Sequence, residues 1–265
     1  MFDLIPIPDN ITVAPWWYVT ALLLAAVIMG MAKSGFGGGI GILAVPLTAN
    51  VLPAGDALAV LLPMLLVGDV FAAWVHKKNV DWRVLWPVLT GGAIGVGLGT
   101  LVLVRLEDTA SLTRTLNLVV GGICLLLVLV QAWRLTGREL PRVPPTKTVG
   151  VGTGVAVGGV STVSHAAGPI AAIYLLELKL DKLRLVGTAA WCFLLVNLMK
   201  LPTYFGLGLI DGATLLQSAW AATAIPLGTL LGLWAARRIP AKPFTAIIYV
   251  GAAVAAARMI WQALV

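Results

Sequence analysis

Charged residues are scarce in this chain: Asp, Glu, Lys and Arg make up 11% of its 265 residues, against roughly 25% in an ordinary soluble domain. So few charges exclude a soluble globular enzyme, a disordered chain and a nucleic-acid-binding module. Cysteine is scarce too, with two residues in the whole chain. Cys124 and Cys192 both lie in apolar runs, so we expect neither a disulfide framework nor a zinc cluster.

Hydrophobic residues, in contrast, make up 60% of the chain, and the mean hydropathy is +0.98. A membrane-crossing helix needs roughly 20 apolar residues, so the chain has room for about ten crossings and no separate soluble domain. Six apolar runs are long enough to cross: 58–75, 84–104, 116–133, 187–205, 214–234 and 245–263. Two further regions, 13–52 and 149–178, are interrupted by polar residues and glycines. Each predicts two short helical pieces, which either cross twice or re-enter on one side.

Positive charge is concentrated in four connections between these runs, 76–83, 134–147, 177–186 and 236–244, which hold 13 of the 18 Lys and Arg residues. Because Lys and Arg accumulate on the cytoplasmic side of a membrane, we predict that these four connections are cytoplasmic. The remaining connections and both termini are then periplasmic. The net charge of +7 therefore indicates orientation in a lipid bilayer, the bacterial inner membrane, and no nucleic-acid partner.

The two halves of the chain, 1–140 and 141–265, resemble each other in the order of their distinctive residues. The paired positions are Pro46 with Pro169, Asp69 with Asn197, Asp81 with Asp211, Gly95 with Gly228, Gly99 with Gly232, and Gly121 with Gly251. Any glycine-rich apolar chain aligns with itself to some extent, but here every matched connection also changes side of the membrane. The pattern predicts an all-α polytopic membrane protein with an inverted-topology repeat and about five membrane segments per half, an architecture of many secondary transporters.

Each half opens with an interrupted apolar region, and in inverted-repeat transporters such helices meet near the midplane around the substrate. Their helix N-termini and glycine backbone N–H groups suit an anion, although close helix packing explains the glycines equally well. The predicted substrate-binding residues are Lys33, Ser34, Gly37, Gly38, Gly39, Ser161, Thr162, Ser164, His165, Asn197 and Lys200.

Ionisable residues at membrane depth are costly and usually functional, and four are predicted there: Lys33, Asp69, His165 and Lys200. Asp69 and His165 are the predicted proton-coupling residues. Asp69 alternatively pairs with a lysine, and His165 is alternatively a hydrogen-bonded core residue. Lys200 lies near the outer end of its run, where a lysine alternatively extends to the surface. No catalytic constellation, metal-ligand spacing or phosphate loop is found, so we expect neither an enzyme nor a cofactor nor a metal.

The motif KSGFGGGIGILAVPL at 33–47, with HAAGP at 165–169 and YLL at 174–176, resembles the TauE/SafE family, also called toluene sulfonate uptake permeases. The resemblance covers nearly the whole chain. It implies a secondary transporter, ion-coupled, of a small organic or inorganic anion such as sulfite, sulfoacetate or a toluenesulfonate-like compound. Many members have a second glycine-rich motif where this chain has Val160-Ser161-Thr162, which leaves the substrate open.

Two other classes remain alternatives to a transporter. One is an intramembrane enzyme, which needs an acid–base or metal constellation facing a cavity. The other is a membrane assembly subunit without a substrate, in which the polar interruptions serve packing alone. A homodimer is compatible with the sequence, which does not determine the oligomeric state.

Overall fold

A computed structural model describes residues 7–8, 11, 13–34, 41, 43–105, 109–135, 146–238 and 241–264. These residues form eleven α-helices and contain no strand, so the predicted all-α architecture is confirmed. The helices are α1 (Pro15–Ser34), α2 (Ala44–Ala49), α3 (Ala54–Val75), α4 (Trp82–Arg105), α5 (Thr109–Leu135), α6 (Lys147–Ser164), α7 (Gly168–Glu177), α8 (Lys182–Gly206), α9 (Gly212–Ala222), α10 (Ile225–Arg238) and α11 (Ala241–Leu264).

Within the described residues, five stretches are long and apolar enough to cross a membrane. They are Pro15–Lys33, Ala54–Val75, Trp82–Arg105, Leu183–Gly206 and Gly212–Trp234. Their outward faces carry large apolar side chains that a soluble protein would bury; Trp74, Leu98 and Leu230, for example, are all more than half exposed. The chain therefore has the length and surface of a multi-pass membrane protein.

Two expected helices differ in detail from the sequence prediction. Region 13–52 opens with α1, which has 20 residues and is long enough to cross alone rather than being a short piece. The predicted run 214–234 is divided into α9 and α10. Pro226 has no N–H to donate to the carbonyl of Ala222, and the Thr223 and Ala224 N–H groups turn back to carbonyls three residues earlier.

Glycines bring α4 and α6 into backbone contact along much of their length. A methyl group added at any of four positions would lie 2.0–2.3 Å from a carbonyl oxygen of the facing helix: Gly91 and Gly95 of α4, and Gly154 and Gly158 of α6. Helix α1 contacts α10 in the same way, because a methyl group at Gly30 would lie 2.3 Å from the Ile225 carbonyl oxygen. Small residues that let backbones approach are typical of membrane helix pairs.

Short polar side chains cap several of the helices. Thr146 accepts from the Val149 N–H at the start of α6, and Asp181 accepts from the Arg184 N–H at the start of α8. Asp81 and Asp211 cap α4 and α9 in the same manner. Hydrogen bonds from the backbone N–H and the hydroxyl of Thr214 lower the pKa of Asp211, since they stabilise its charged form. These caps fix where the membrane helices begin.

The α4–α6 contact generates a direct test, Gly95→Ala. The added methyl group would lie 2.2 Å from the Val155 carbonyl oxygen, so the helices must move apart, at a cost of about 1–3 kcal/mol. The matched control is Gly97→Ala on the same helix, where nothing lies within 4 Å and the higher helix propensity of alanine is the main effect. We expect the melting temperature in detergent to fall for Gly95→Ala and to stay level or rise for Gly97→Ala. Equal melting temperatures would contradict the contact.

Candidate functional site

Helix α8 carries four polar or aromatic side chains on one face: Phe193, Asn197, Lys200 and Tyr204. Their spacing of four, three and four residues keeps them on the same side of a helix. The side chains of Asn197, Lys200 and Tyr204 are 2% exposed or less. Each of the four contacts a residue of another helix or of the α6–α7 connection, so this face organises the polar interior of the protein.

The first cluster is an ion pair between α1 and α3. Lys33 Nζ donates to Asp69 Oδ1, and Asn197 Nδ2 of α8 donates to Asp69 Oδ2 at 2.5 Å. Asp69 is fully buried, whereas Lys33 is 20% exposed. The Phe193 ring lies under the Lys33 ammonium, with 5.5 Å from Nζ to the ring centroid. The Asp69 carboxylate is thus held by one cation and one amide, and it cancels the charge of Lys33.

The second cluster surrounds the ammonium of Lys200, which is fully buried. Lys200 Nζ donates to the Ser161 carbonyl at 3.1 Å, to Ser161 Oγ at 3.0 Å and to His165 Nδ1 at 2.8 Å. All three acceptors are neutral, and no carboxylate of the described residues lies within ion-pair distance of it. The alternative that Lys200 extends to the membrane surface is therefore wrong, since its side chain points inward to the end of α6.

His165 joins this cluster because of the way α6 ends. It caps the C-terminus of the helix in the left-handed conformation, with φ 51° and ψ 10°, where histidine is one of the more tolerated residues. Its Nε2 lies 3.0 Å from the Leu58 carbonyl oxygen of α3. Because a carbonyl only accepts, Nε2 carries the proton, and Nδ1 is left to accept from Lys200. The imidazole is therefore neutral in this arrangement.

Helix α3 can offer carbonyl oxygens to neighbouring side chains near its proline. Pro63 lies inside α3, and its ring and missing N–H disturb the hydrogen bonds of the preceding turn. In that turn the Leu58 carbonyl accepts from His165, and the Val60 carbonyl accepts from Ser218 Oγ at 2.8 Å. The carbonyl that loses its helical donor to Pro63 is that of Ala59, which lies between the two that contact His165 and Ser218.

The family model of the sulfite exporter TauE/SafE family matches residues 22–259. The chain belongs to this family. The predicted family is confirmed, and the TauE/SafE protein described here is a multi-pass membrane protein of a transporter family. No curated protein and no solved structure matches the chain. Both clusters lie inside the matched range.

Several of the predicted site residues have no free hydrogen-bond donor to offer to these clusters. Thr162 Oγ1 and Ser164 Oγ donate to carbonyls of their own helix, those of Gly158 and Val160, at 2.8 Å each. Ser161 Oγ differs, because it accepts from Lys200 and keeps its own proton available. The side chain of Ser34 lies outside the described residues, and so do Gly37, Gly38 and Gly39.

Sequence analysis missed two residues of this TauE/SafE protein. Tyr204 is fully buried; its hydroxyl donates to the Thr162 carbonyl at 2.7 Å, and its ring lies 5.9 Å from that of His165. Phe193 lies against Lys33. Their spacing from Asn197 and Lys200 could have identified them, because it places all four residues on one face of a single helix.

The Lys33–Asp69 ion pair predicts that substitutions of its two residues have non-additive effects on stability. Asp69→Asn leaves a partly buried ammonium without its counter-ion, which we expect to cost about 3 kcal/mol. The double variant Lys33→Met/Asp69→Asn removes both charges and should melt at a higher temperature than Asp69→Asn alone. Arg184→Met is the matched control, because its ion pair with Asp181 is more than half exposed and contributes at most about 1 kcal/mol. A double variant no more stable than Asp69→Asn would contradict the pairing.

Proposed function

We propose that this TauE/SafE protein is an ion-coupled secondary transporter that moves small sulfur oxyanions or organosulfonates across the bacterial inner membrane. The anion binds beside Lys200, at the point where α6 ends and α8 crosses it. The observation that carries this proposal is the buried Lys200 ammonium with three neutral acceptors. A buried charge without a counter-ion is costly, so the position is suited to an anion that arrives with the opposite charge.

Charge balance across the two clusters supports an anion as the substrate. Asp69 cancels Lys33, and Lys200 lies about one turn of α8 from Asn197, which hydrogen-bonds to Asp69. With both lysines counted as ammonium ions, the interior holds a surplus of one positive charge. Ser161 Oγ keeps a hydroxyl proton that can be donated to an oxyanion next to Lys200. The family description, sulfite exporter, agrees with a sulfur oxyanion.

Asp69 is the proposed proton-coupling residue, and His165 is the second candidate. Asp69 is the one carboxylate in the two clusters, and protonation would release Lys33 from its ion pair. A free Lys33 would then attract the anion as well. Proton binding at Asp69 and anion binding beside Lys200 would thus favour each other, which is what coupled transport requires.

Matching close contacts between the helices support the proposed inverted repeat. Gly30 of α1 meets the Ile225 carbonyl of α10, and Gly158 of α6 meets the Gly92 carbonyl of α4, each at 2.3 Å from an added methyl group. Gly30 and Gly158 are 128 residues apart, and Gly92 and Ile225 are 133 apart. Helix α1 therefore contacts α10 as α6 contacts α4, as two halves related by a pseudo-two-fold axis would.

Two further pairs follow the same relation. Asp81 and Asp211, matched in sequence, both cap the helix that follows them. Asp69 and Asn197 are also 128 residues apart, and they hydrogen-bond to each other. Equivalent residues that touch lie next to the axis that relates them. On this proposal the halves are 1–140 and 141–265, and the polar clusters lie where they meet.

Flux through reconstituted protein tests the proposal. We expect Lys200→Met to lower radiolabelled sulfite flux into proteoliposomes at least tenfold, because it removes a charge-assisted hydrogen bond to the anion. Lys179→Met, at an exposed position between α7 and α8, is the matched control and should transport at the wild-type rate. Ser161→Ala should lower flux less than Lys200→Met, since it removes one neutral donor.

The same assay separates the rival classes. Wild-type protein that carries neither sulfite nor organosulfonates would refute the transporter and favour a membrane assembly subunit. Chemical conversion of the labelled compound without net movement would favour an intramembrane enzyme. Equal flux in the wild type and in Lys200→Met, Lys33→Ala and Ser161→Ala would leave a transporter but refute this site.

Labelling from outside the cell tests the orientation and the inversion. The matched connections 76–83 and 206–213 are proposed to lie on opposite sides, the first cytoplasmic and the second periplasmic. We therefore expect a membrane-impermeant maleimide to label Gly212→Cys in cells with a permeabilised outer membrane, and to label Lys78→Cys only after the inner membrane is opened. Both positions are exposed, and the native cysteines are buried. Labelling of both variants from the same side would contradict the inverted repeat.

A further inference from the structure

The side-chain amide of Asn197 leaves one of its two ends without a partner. Nδ2 donates to Asp69 Oδ2 at 2.5 Å. The reverse orientation would place two oxygens against each other, so this assignment of the amide is fixed by its partner. Oδ1 therefore faces away from the carboxylate. It is buried, and in the part of the chain that the structure describes no donor reaches it.

An unpartnered acceptor in a buried site calls for a donor from elsewhere. Asn197 is 2% exposed, so bulk water does not solvate its amide freely. Lys200 lies three residues further along the same face of α8, and Asn197 connects that face to the Lys33–Asp69 pair through its hydrogen bond to Asp69. The acceptor without a donor and the ammonium without a counter-ion therefore lie about one turn apart on one face of α8.

We infer that the site selects a singly charged oxyanion that carries its own hydrogen-bond donor. The oxyanion lies toward Lys200, and the donor binds Asn197 Oδ1. This inference rests on the proposed function and names the substrate class more narrowly. It favours hydrogen sulfite over the sulfite dianion, and hydroxy- or amino-substituted sulfonates over plain alkyl ones.

The charge of the site argues for the same class of ligand. The anion meets the site while Asp69 is ionised, when Lys33 and Asp69 cancel and leave the single charge of Lys200. A monoanion brings the buried total to zero. A dianion leaves one negative charge without a partner, which is unfavourable in a low-dielectric interior. Specificity of this kind is strong because a ligand without the donor leaves the buried acceptor unpaired.

A matched pair of competitors tests the donor. The compounds 2-hydroxyethanesulfonate and propane-1-sulfonate have the same charge and nearly the same shape, but a hydroxyl in the first replaces a methyl group in the second. Each is used to compete with radiolabelled sulfite for uptake into proteoliposomes at one fixed pH. We expect the hydroxylated compound to compete about tenfold more strongly. Equal competition, as expected if a water molecule occupies Asn197 Oδ1, would overturn the inference.

A second pair tests the charge. Sulfate and methanesulfonate are both tetrahedral, but sulfate carries an additional charge. We expect methanesulfonate to compete at least tenfold more strongly than sulfate, although it has no donor. Sulfate that competes as strongly as methanesulfonate would overturn selection of a monoanion.

The variant Asn197→Leu removes the acceptor, and we expect it to reduce the preference for 2-hydroxyethanesulfonate to about one. Asn117→Leu is the control, because Asn117 on α5 is also buried with an unpartnered Oδ1 but has no hydrogen bond to either cluster; it should keep the wild-type preference. A preference that persists in Asn197→Leu would overturn the assignment to this amide. Should that variant not fold, the wild-type comparison decides by itself.

The outcomes distinguish the two proposals. Wild-type protein that does not carry sulfite refutes the proposed function and this inference with it. Wild-type protein that carries sulfite but shows no preference between 2-hydroxyethanesulfonate and propane-1-sulfonate refutes this inference and leaves the proposed function standing.

Discussion

The ammonium of Lys200 must be stabilised without a carboxylate beside it, and much of the surrounding structure follows from that constraint. A lone buried charge costs several kcal/mol in a protein interior, so its three donors need good acceptors. The carbonyl and hydroxyl of Ser161 and the Nδ1 of His165 provide them. The Ser161 carbonyl accepts from the His165 N–H as well, and the left-handed His165 that ends α6 directs its Nδ1 to the ammonium. The end of the helix and the buried lysine therefore depend on each other.

The position of that helix end is set in turn by backbone packing. Gly154 and Gly158 lie one turn apart and press α6 against α4, and Gly99 of α4 meets Thr162 one turn further on. Ser161 and His165 lie beside this line of close contacts, on the face of α6 that is directed to α8 and α3. A side chain at either glycine would shift α6 away from α4. Close packing on one face thus positions hydrogen-bond acceptors on the next.

Composition and charge placement are sufficient to predict an all-helical membrane protein, because the cost of exposing apolar surface leaves few alternatives. The four ionisable residues at membrane depth could also be found from the sequence, since each interrupts an apolar run. Their contacts could not be predicted. Spacing gives the face of a helix but not the length or direction of a flexible side chain, so Lys200 seemed equally able to extend to the surface. Tyr204 and Phe193 went unnoticed because aromatic residues are common in apolar helices, whatever they contact.

The proposed repeat makes the difference between the two halves informative. At the offset of 128 residues, Lys33 corresponds to Ser161. In the first half the cation comes from the end of α1 and is cancelled by Asp69; in the second it comes from α8, reaches Ser161 and is not cancelled. A symmetric scaffold with symmetric charges would make its two access states nearly equal in energy. On the proposed repeat, the two halves contribute unlike charges to the place where they meet, so the two access states need not be equal in energy.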